Sequence, residues 1–556
     1  MKRLAQYWEH IVLTIALLAI AGPLLVPGYI LALDMIWVPD LVPMWQTDGF
    51  TNAYPLHVLF AALATVVPSW VVQKLLVVAM LALLLWVPWR FLPVTGAWPR
   101  VIAALVYAVN PFVYTRLLAG QWFVLLGYAL LPLLLYVLWQ WVKQPSYGAS
   151  VRLAGVWALV ALVSVHYAYV AGLVIAAAML SVVVKQKGSQ QVLIQAGLVT
   201  VVAAILSAYW TVPAIQRSAP LEERFDAAHL EAFAASSHGD VLSVYANVAV
   251  LGGFWAEDGL WLHSFWWPQT QAIFWVGFAG LVLLLLCGAW YLYETKQRAL
   301  VGVLAAGVAI YMLSFGAGET VFQFINMTMY DLMPGWNGLR DSTKLVGLLA
   351  FLYATLAGLG VQQLIRRRII TSAYVPVLLL VPVLVGLLMW GGLRGQLAPT
   401  WYPDSWTQVQ AELRATDARA LTLPWRGYYS LDFADGRTVA NVASRYFGHQ
   451  YVITGRSVEL GNITNQEVDT RYQQIESFLI SEAGHSPEIT QDWLQQQGIT
   501  HLLVMSDQTE FALGNWWLPQ YAPLAAEDRV LPQLLTVPNQ VVVDEDIKLY
   551  RFTYPD

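Results

Sequence analysis

Apolar runs nearly free of charge recur along the first 394 residues, and that pattern restricts the chain to few folds. They lie at 11–26, 71–89, 101–114, 122–141, 153–165, 167–184, 192–212, 272–292, 300–315, 345–364 and 374–390. By the length needed to cross a hydrocarbon core, they read as about eleven spans. The whole chain is 58% hydrophobic and only 12% charged, a balance found in polytopic membrane proteins and not in soluble ones. A net charge of −5 gives no support for nucleic-acid binding. The single cysteine, Cys287, excludes an intrachain disulfide and a cysteine-built metal site. The first apolar run exceeds a usual signal-peptide core and has no clear small-residue cleavage site after it, so it reads as a retained helix.

Basic residues set the expected orientation. Lys2/Arg3, Arg90/Arg100, Lys143/Arg152, Lys185/Lys187, Lys296/Arg298 and Arg366-Arg367-Arg368 fall on one side if the chain turns near Ser164-Val165-His166. That side is cytoplasmic by the positive-inside rule. The N-terminus is then inside, and the long loops 28–70, 213–271 and 316–343 are external. Within the first loop, 53–67 is apolar, too short to span and ended by Pro68, so it is expected to lie along the membrane surface. The composition turns polar after Trp390. Two domains are read: 1–394, membrane-embedded, and 395–556, a small extracytoplasmic α/β domain. Helices are expected near 405–414, 468–483 and 487–497, with strands near 421–424, 501–505, 540–543 and 548–552.

Chemistry is sought where ionisable residues stand at helix ends. Walker-type glycine loops, zincin motifs, nucleophile elbows and CxxC pairs are absent. The spans carry almost no acids or bases, which counts against an ion-coupled transporter. Three external stretches remain. The first holds Asp34, Asp40, Asp48 and His57; the second, 110–121, is read as a loop with Arg116 as its single arginine; the third, 337–344, holds Arg340, Asp341 and Lys344. His166 is placed at an outer turn and, with His57 and Asp48, is a candidate for lining a cavity. An acid able to deprotonate a hydroxyl, with Arg and Lys to neutralise a phosphate leaving group, suffices for glycosyl transfer from a polyprenyl-phosphate donor. The plainer readings are a solvated Asp34, an Arg340–Asp341 ion pair, Lys344 and Arg116 as anchors, and His166 as a satisfied turn residue. In the tail, Trp425, Tyr428, Tyr429, Trp516 and Trp517 either stack on a glycan or fill the domain's core and dock it.

Gly28-Tyr29-Ile30-Leu31-Ala32-Leu33-Asp34-Met35, Tyr107-Ala108-Val109-Asn110-Pro111-Phe112-Val113-Tyr114 and Leu339-Arg340-Asp341-Ser342-Thr343-Lys344-Leu345 are similar to segments of the GT-C superfamily. Those are the polyprenyl-phosphate-sugar-dependent membrane glycosyltransferases, and the likeness is to their YfhO-like and arabinofuranosyltransferase-D-like branches. The retained first helix, the acidic first loop, the surface helix and the external C-terminal domain resemble them too. The resemblance implies an inverting transferase of the plasma membrane. Asp34 would be the base and Asp40 the second candidate, while Arg340, Lys344 and Arg116 would hold the donor phosphate. Its partners would be a polyprenyl-phosphate-linked sugar, membrane lipids and a glycan, lipid or protein acceptor. Many relatives carry paired acids in the first loop. This chain has none there, so a metal-independent reaction without cofactor is expected. A non-catalytic scaffold or lipid- or glycan-handling protein, or a transporter, is the alternative. A large outer cavity lined by Asp34 and later basic residues would favour the enzyme over both.

Overall fold

In hydrocarbon every backbone amide must find its partner inside the protein, so the apolar runs fold as helices. The computed structural model describes residues 4–43, 52–186, 188–216, 227–237, 242–257, 267–371, 373–425, 427–455, 459–460, 463–464, 470–480, 486–505 and 527–554. Asp48, Trp516 and Trp517 lie outside the described residues.

The helical part begins with α1 (Leu4–Ala21), α2 (Tyr54–Ala64), α3 (Ser69–Phe91), α4 (Ala97–Ala108), α5 (Pro111–Leu118) and α6 (Trp122–Lys143). It continues with α7 (Tyr147–Val163), α8 (Val165–Lys185), α9 (Gln190–Ile215), α10 (Ala227–Ala232), α11 (Val244–Ala249), α12 (Ala272–Thr295) and α13 (Gln297–Leu313). Then come α14 (Gln323–Leu332), α15 (Val346–Arg366), α16 (Leu380–Val385) and α17 (Trp390–Arg394). Among the described residues, nine helical segments are long and apolar enough to cross a membrane, and α7 and α13 are shorter apolar helices. The protein is thus a helical membrane protein. Its outer faces expose apolar side chains such as Leu18, Leu180, Ile205 and Leu283, as lipid-facing surfaces do.

Two breaks shape the bundle. Ser164 leaves the helical conformation, ends α7 and caps α8, its hydroxyl accepting from the Tyr167 amide. Trp157 then donates to the Ala168 carbonyl, so α7 and α8 fold back on each other. The other break, at Asn110 before Pro111, divides the run expected as one span over 101–114 and makes a helix of much of the expected loop 110–121. Asn110 satisfies both sides of the gap. Its amide donates to the Val106 and Tyr107 carbonyls at 3.0 and 2.8 Å, and its oxygen accepts from the Val113 amide. Proline at the first position of α5 costs no hydrogen bond. The sequence reading placed this segment in a loop because its eight residues are too few to show a helical period; it is instead buried throughout.

α12 and α15 pack through glycines. A Cβ on Gly360 would come 2.1 Å from the Leu284 carbonyl oxygen, and one on Gly288 2.1 Å from that of Leu356. Such approach is the usual route to tight helix contact in lipid, where apolar burial between helices gains little.

The C-terminal part comprises α18 (Asp404–Ala415), β1 (Ala420–Leu423), β2 (Tyr428–Leu431), β3 (Arg437–Ala440), α19 (Ala443–Phe447) and β4 (Val452–Ile453). After β5 (Glu459–Leu460) and β6 (Ile463–Thr464) come α20 (Thr470–Ile480), α21 (Pro487–Gln496), β7 (His501–Met505), α22 (Glu527–Leu534), β8 (Asn539–Asp544) and β9 (Ile547–Phe552). Five strands form one sheet in the order β4-β1-β7-β9-β8, with β1 parallel to β4 and β7, and β9 antiparallel to β7 and β8. Side chains alternate across it. Leu421, Leu423, Leu502 and Val504 pack with Ile475 and Leu494 of α20 and α21, whereas Leu503, Met505, Ile547 and Leu549 join the cluster that holds Val409 and Leu413 of α18. That cluster continues into the helical part, so the tail is docked on the bundle.

Gly360→Leu should lower the thermal midpoint of the detergent-solubilised protein by an overpacking cost of about 1–3 kcal/mol or more. Gly302→Leu serves as the control, since nothing lies within 4 Å of a Cβ there. Equal midpoints for the two variants would contradict the close α12–α15 contact.

Candidate functional site

The chain after α1 does not wander as a free loop. Gln73 of α3 lies fully buried against Ile30, donating to its carbonyl and accepting from its amide, each at 2.8 Å. A side-chain amide here replaces a neighbouring strand. Next, the Ala32 and Met35 amides and carbonyls pair, leaving Leu33 and Asp34 at the tip of a tight turn. The tip is gripped from two sides. The Asp34 amide donates to the Ala119 carbonyl at 3.0 Å, and the Leu33 carbonyl accepts from the Ala440 amide of β3 at 2.7 Å. Gly120 lets the α5–α6 connection come this close. It has a φ of 68°, and a Cβ there would meet the Met35 nitrogen at 2.4 Å.

The Asp34 carboxylate accepts one hydrogen bond on each oxygen, both at 2.9 Å: from Gln121 Nε2 on Oδ2 and from Tyr428 on Oδ1. Gln121 Oε1 in turn accepts from Arg116 at 2.5 Å, which fixes the orientation of the amide. Asp34 is solvent-accessible where it lines a cavity, yet protein surrounds the carboxyl closely. Desolvation is the largest influence on it and raises its pKa above the ordinary carboxylate value, against the hydrogen bonds from Gln121 and Tyr428 and the charge of Lys344. Burial, with the charge of Asp34 and the hydrogen bond to it, keeps the Tyr428 hydroxyl protonated.

Behind this wall sits a buried ion cluster. Arg116 of α5 is 1% exposed. Its guanidinium meets both oxygens of Asp341, at 2.6 and 3.2 Å, and donates to Thr343 at 2.6 Å. Lys344 reaches the same carboxylate at 3.0 Å. Burial alone would push the Asp341 carboxyl up, but Arg116 and Lys344 outweigh it and hold it well below the usual range. The stabilisation from this depressed pKa is whole above the ordinary carboxylate pKa, and is lost progressively as pH falls from there through the low folded value.

The cavity measures about 1150 Å³ and lies between the first loop, α2, the 335–344 segment and α19 with the residues after it. Of the residues singled out in the sequence, Asp34, Asp40, His57, His166, Arg340 and Lys344 all line it. Arg116 does not. Expected on a donor phosphate, it is instead directed at Asp341, Thr343 and Gln121. Asp40 is exposed and pairs with Arg414 of α18 at 3.2 Å. His57 stands edge-on to Phe123, and burial, helped by the charge of Arg445, lowers its pKa to about 4. The Arg340 guanidinium lies 4.6 Å from the centre of the Phe233 ring. Among the described residues, no group of three or more His, Cys, Asp or Glu is placed to hold a metal ion.

Sequence reasoning missed what Tyr428 and Gln121 do. From the sequence Tyr428 reads only as an aromatic of the tail, because the four residues of β2, Tyr428–Leu431, are too few to show alternation. The β2–β3 hairpin, which brings it to Asp34, was not expected at all. Gln121 carried no charge to mark it. No family model matches the chain, and no curated protein matches it.

Asp341→Asn should leave Arg116 and Lys344 buried without the carboxylate they share, destabilising the protein by about 3–5 kcal/mol. Thermal unfolding in detergent checks this. A shift no larger than that of Asp40→Asn, whose pair with Arg414 is exposed, would show that the cluster does not hold the fold.

Proposed function

We propose that the protein is an inverting glycosyltransferase that moves a sugar from a polyprenyl-phosphate carrier to an acceptor hydroxyl, with Asp34 as general base. The observation that carries this reading is the Asp34 carboxyl, its pKa raised, held at the wall of a large cavity that Arg340 and Lys344 also line. Gln121 and Tyr428 take one lone pair of each oxygen, leaving capacity toward the cavity for an incoming hydroxyl. The acceptor oxygen bonds to the anomeric carbon as the carbon–phosphate oxygen bond breaks, and its proton passes to Asp34. The departing phosphate gains one negative charge, which Arg340 and Lys344 neutralise. Asp34 has neutral donors on both oxygens, so it is not locked in the bidentate pairing that makes Asp341 a weak base. A cavity lined by an acid and by later-loop cations is the arrangement that favours an enzyme over a scaffold.

Asp34→Asn should lower the transfer rate about a hundred- to ten-thousand-fold without loss of folding, measured with a short-chain polyprenyl-phosphate sugar. The base acts ionised, so activity falls as pH drops through the Asp34 pKa, above the ordinary carboxylate value of about 4. Tyr428→Phe removes a hydrogen bond that favours the carboxylate, and therefore moves this acid limb to higher pH. Full activity in Asp34→Asn, or an unmoved limb in Tyr428→Phe, would remove Asp34 from the chemistry.

The reading also gives a topology of eleven spans in the plasma membrane. The nine long helical segments, with the shorter apolar helices α7 and α13, match that count; in this reading the N-terminus is cytoplasmic and the C-terminal domain extracytoplasmic. A phosphatase reporter fused after Asp556 should be active, since it would lie outside. An inactive phosphatase, with a cytoplasmic reporter active at the same position, would overturn the odd count.

A further inference from the structure

The cavity has a second charged region, built from elements other than those around Asp34. On its C-terminal wall Arg445 of α19 and the nearby His449 line it, and α2 contributes His57 and Phe60. Arg445 and His57 share one field, since the arginine's charge helps keep the imidazole neutral. Four cationic side chains line the cavity against three carboxylates, in a chain whose net charge is −5. Each carboxylate is already engaged: Asp34 by Gln121 and Tyr428, Asp40 by Arg414, Asp341 by Arg116 and Lys344. Arg445 has neither a carboxylate nor a hydrogen-bond partner for its guanidinium among the described residues. Arg445 is exposed to the cavity, so an anion that enters can reach its charge, and the protein crowding the guanidinium, which lowers its pKa, replaces part of the water a cation would otherwise hold.

The chemistry of the anion follows from the neighbouring helix. No residue of α2 is buried, and Val58, Leu59 and Leu63 expose apolar side chains. An anion at Arg445 therefore lies beside a helix suited to an acyl or isoprenoid chain. We propose that Arg445, with His57 and His449, forms a second anion subsite that takes the phosphate of a lipid-linked acceptor, whose chain runs along α2. The proposal rests on the transferase reading, with the donor phosphate at Arg340 and Lys344, and it names the acceptor class as a membrane-tethered, phosphate-bearing lipid.

The test is equilibrium binding of radiolabelled farnesyl phosphate to the purified full chain in detergent, with inorganic phosphate as competitor. Two sites are expected. Arg445→Gln and Arg445→Glu should each weaken one site tenfold or more and leave the other, which Arg340→Ala weakens instead. Arg445→Lys should retain both sites, and the thermal midpoint should be unchanged in all three Arg445 variants. Two intact sites in Arg445→Gln and Arg445→Glu would overturn the subsite. So would inorganic phosphate competing at the Arg445 site as well as farnesyl phosphate, because the ligand would then be a soluble phosphate. One site, lost only in Arg340→Ala, would sink this subsite and spare the transferase reading. No binding to the unmodified chain would sink both.

Discussion

Everything in the candidate site leans on one buried carboxylate holding two cations. Asp341 sits between Arg116 of α5 and Lys344 at the mouth of α15, so a single acid joins helices far apart in the chain. Charges this deep are tolerated only when each finds geometry close to ideal, and the bidentate contact with Arg116 supplies it. Once Arg116 is fixed, Gln121 can turn only one way, and its amide then presents hydrogens to Asp34. The two aspartates are thereby differentiated. One is ionised and structural, the other raised in pKa and turned to the cavity. Divergence of two acids by environment is the usual physical basis for separate roles in one site.

The helical frame was legible in the sequence because a bilayer imposes its length on any run that crosses it. The split at Ser164 followed from charge placement alone. The tail strands at 501–505, 540–543 and 548–552 were legible from alternation, and the structure has them at His501–Met505, Asn539–Asp544 and Ile547–Phe552. Asp34, Arg340 and Lys344 could be singled out because they stand at external helix ends, while the spans themselves carry almost no ionisable residues.

What was not legible depends on contacts between distant segments. Asn110 as the pivot between α4 and α5 shows only once its three hydrogen bonds are known. The fate of Arg116 was decided by Asp341, 225 residues later in the chain, and no local pattern encodes that pairing. Tyr428 meets Asp34 across 394 residues, through a hairpin of two four-residue strands. Neither propensity nor periodicity carries a signal at that range, and short strands carry little at any range.

The hairpin has a further meaning for how the protein opens. The Leu33 carbonyl takes its hydrogen from Ala440, Tyr29 exchanges hydrogen bonds with Thr400, and the Tyr402 hydroxyl donates to the Trp37 carbonyl. The strip of chain bearing Asp34 is thus stitched into the tail along its length, and a boundary drawn at residue 394 cuts through these bonds. Segments joined by so many bonds are expected to open together, the amides of Tyr29 and Ala440 exchanging with solvent in one event. A domain so joined cannot be swapped for another as a module. Any change that loosens its sheet is felt at the Asp34 turn as a change in local order.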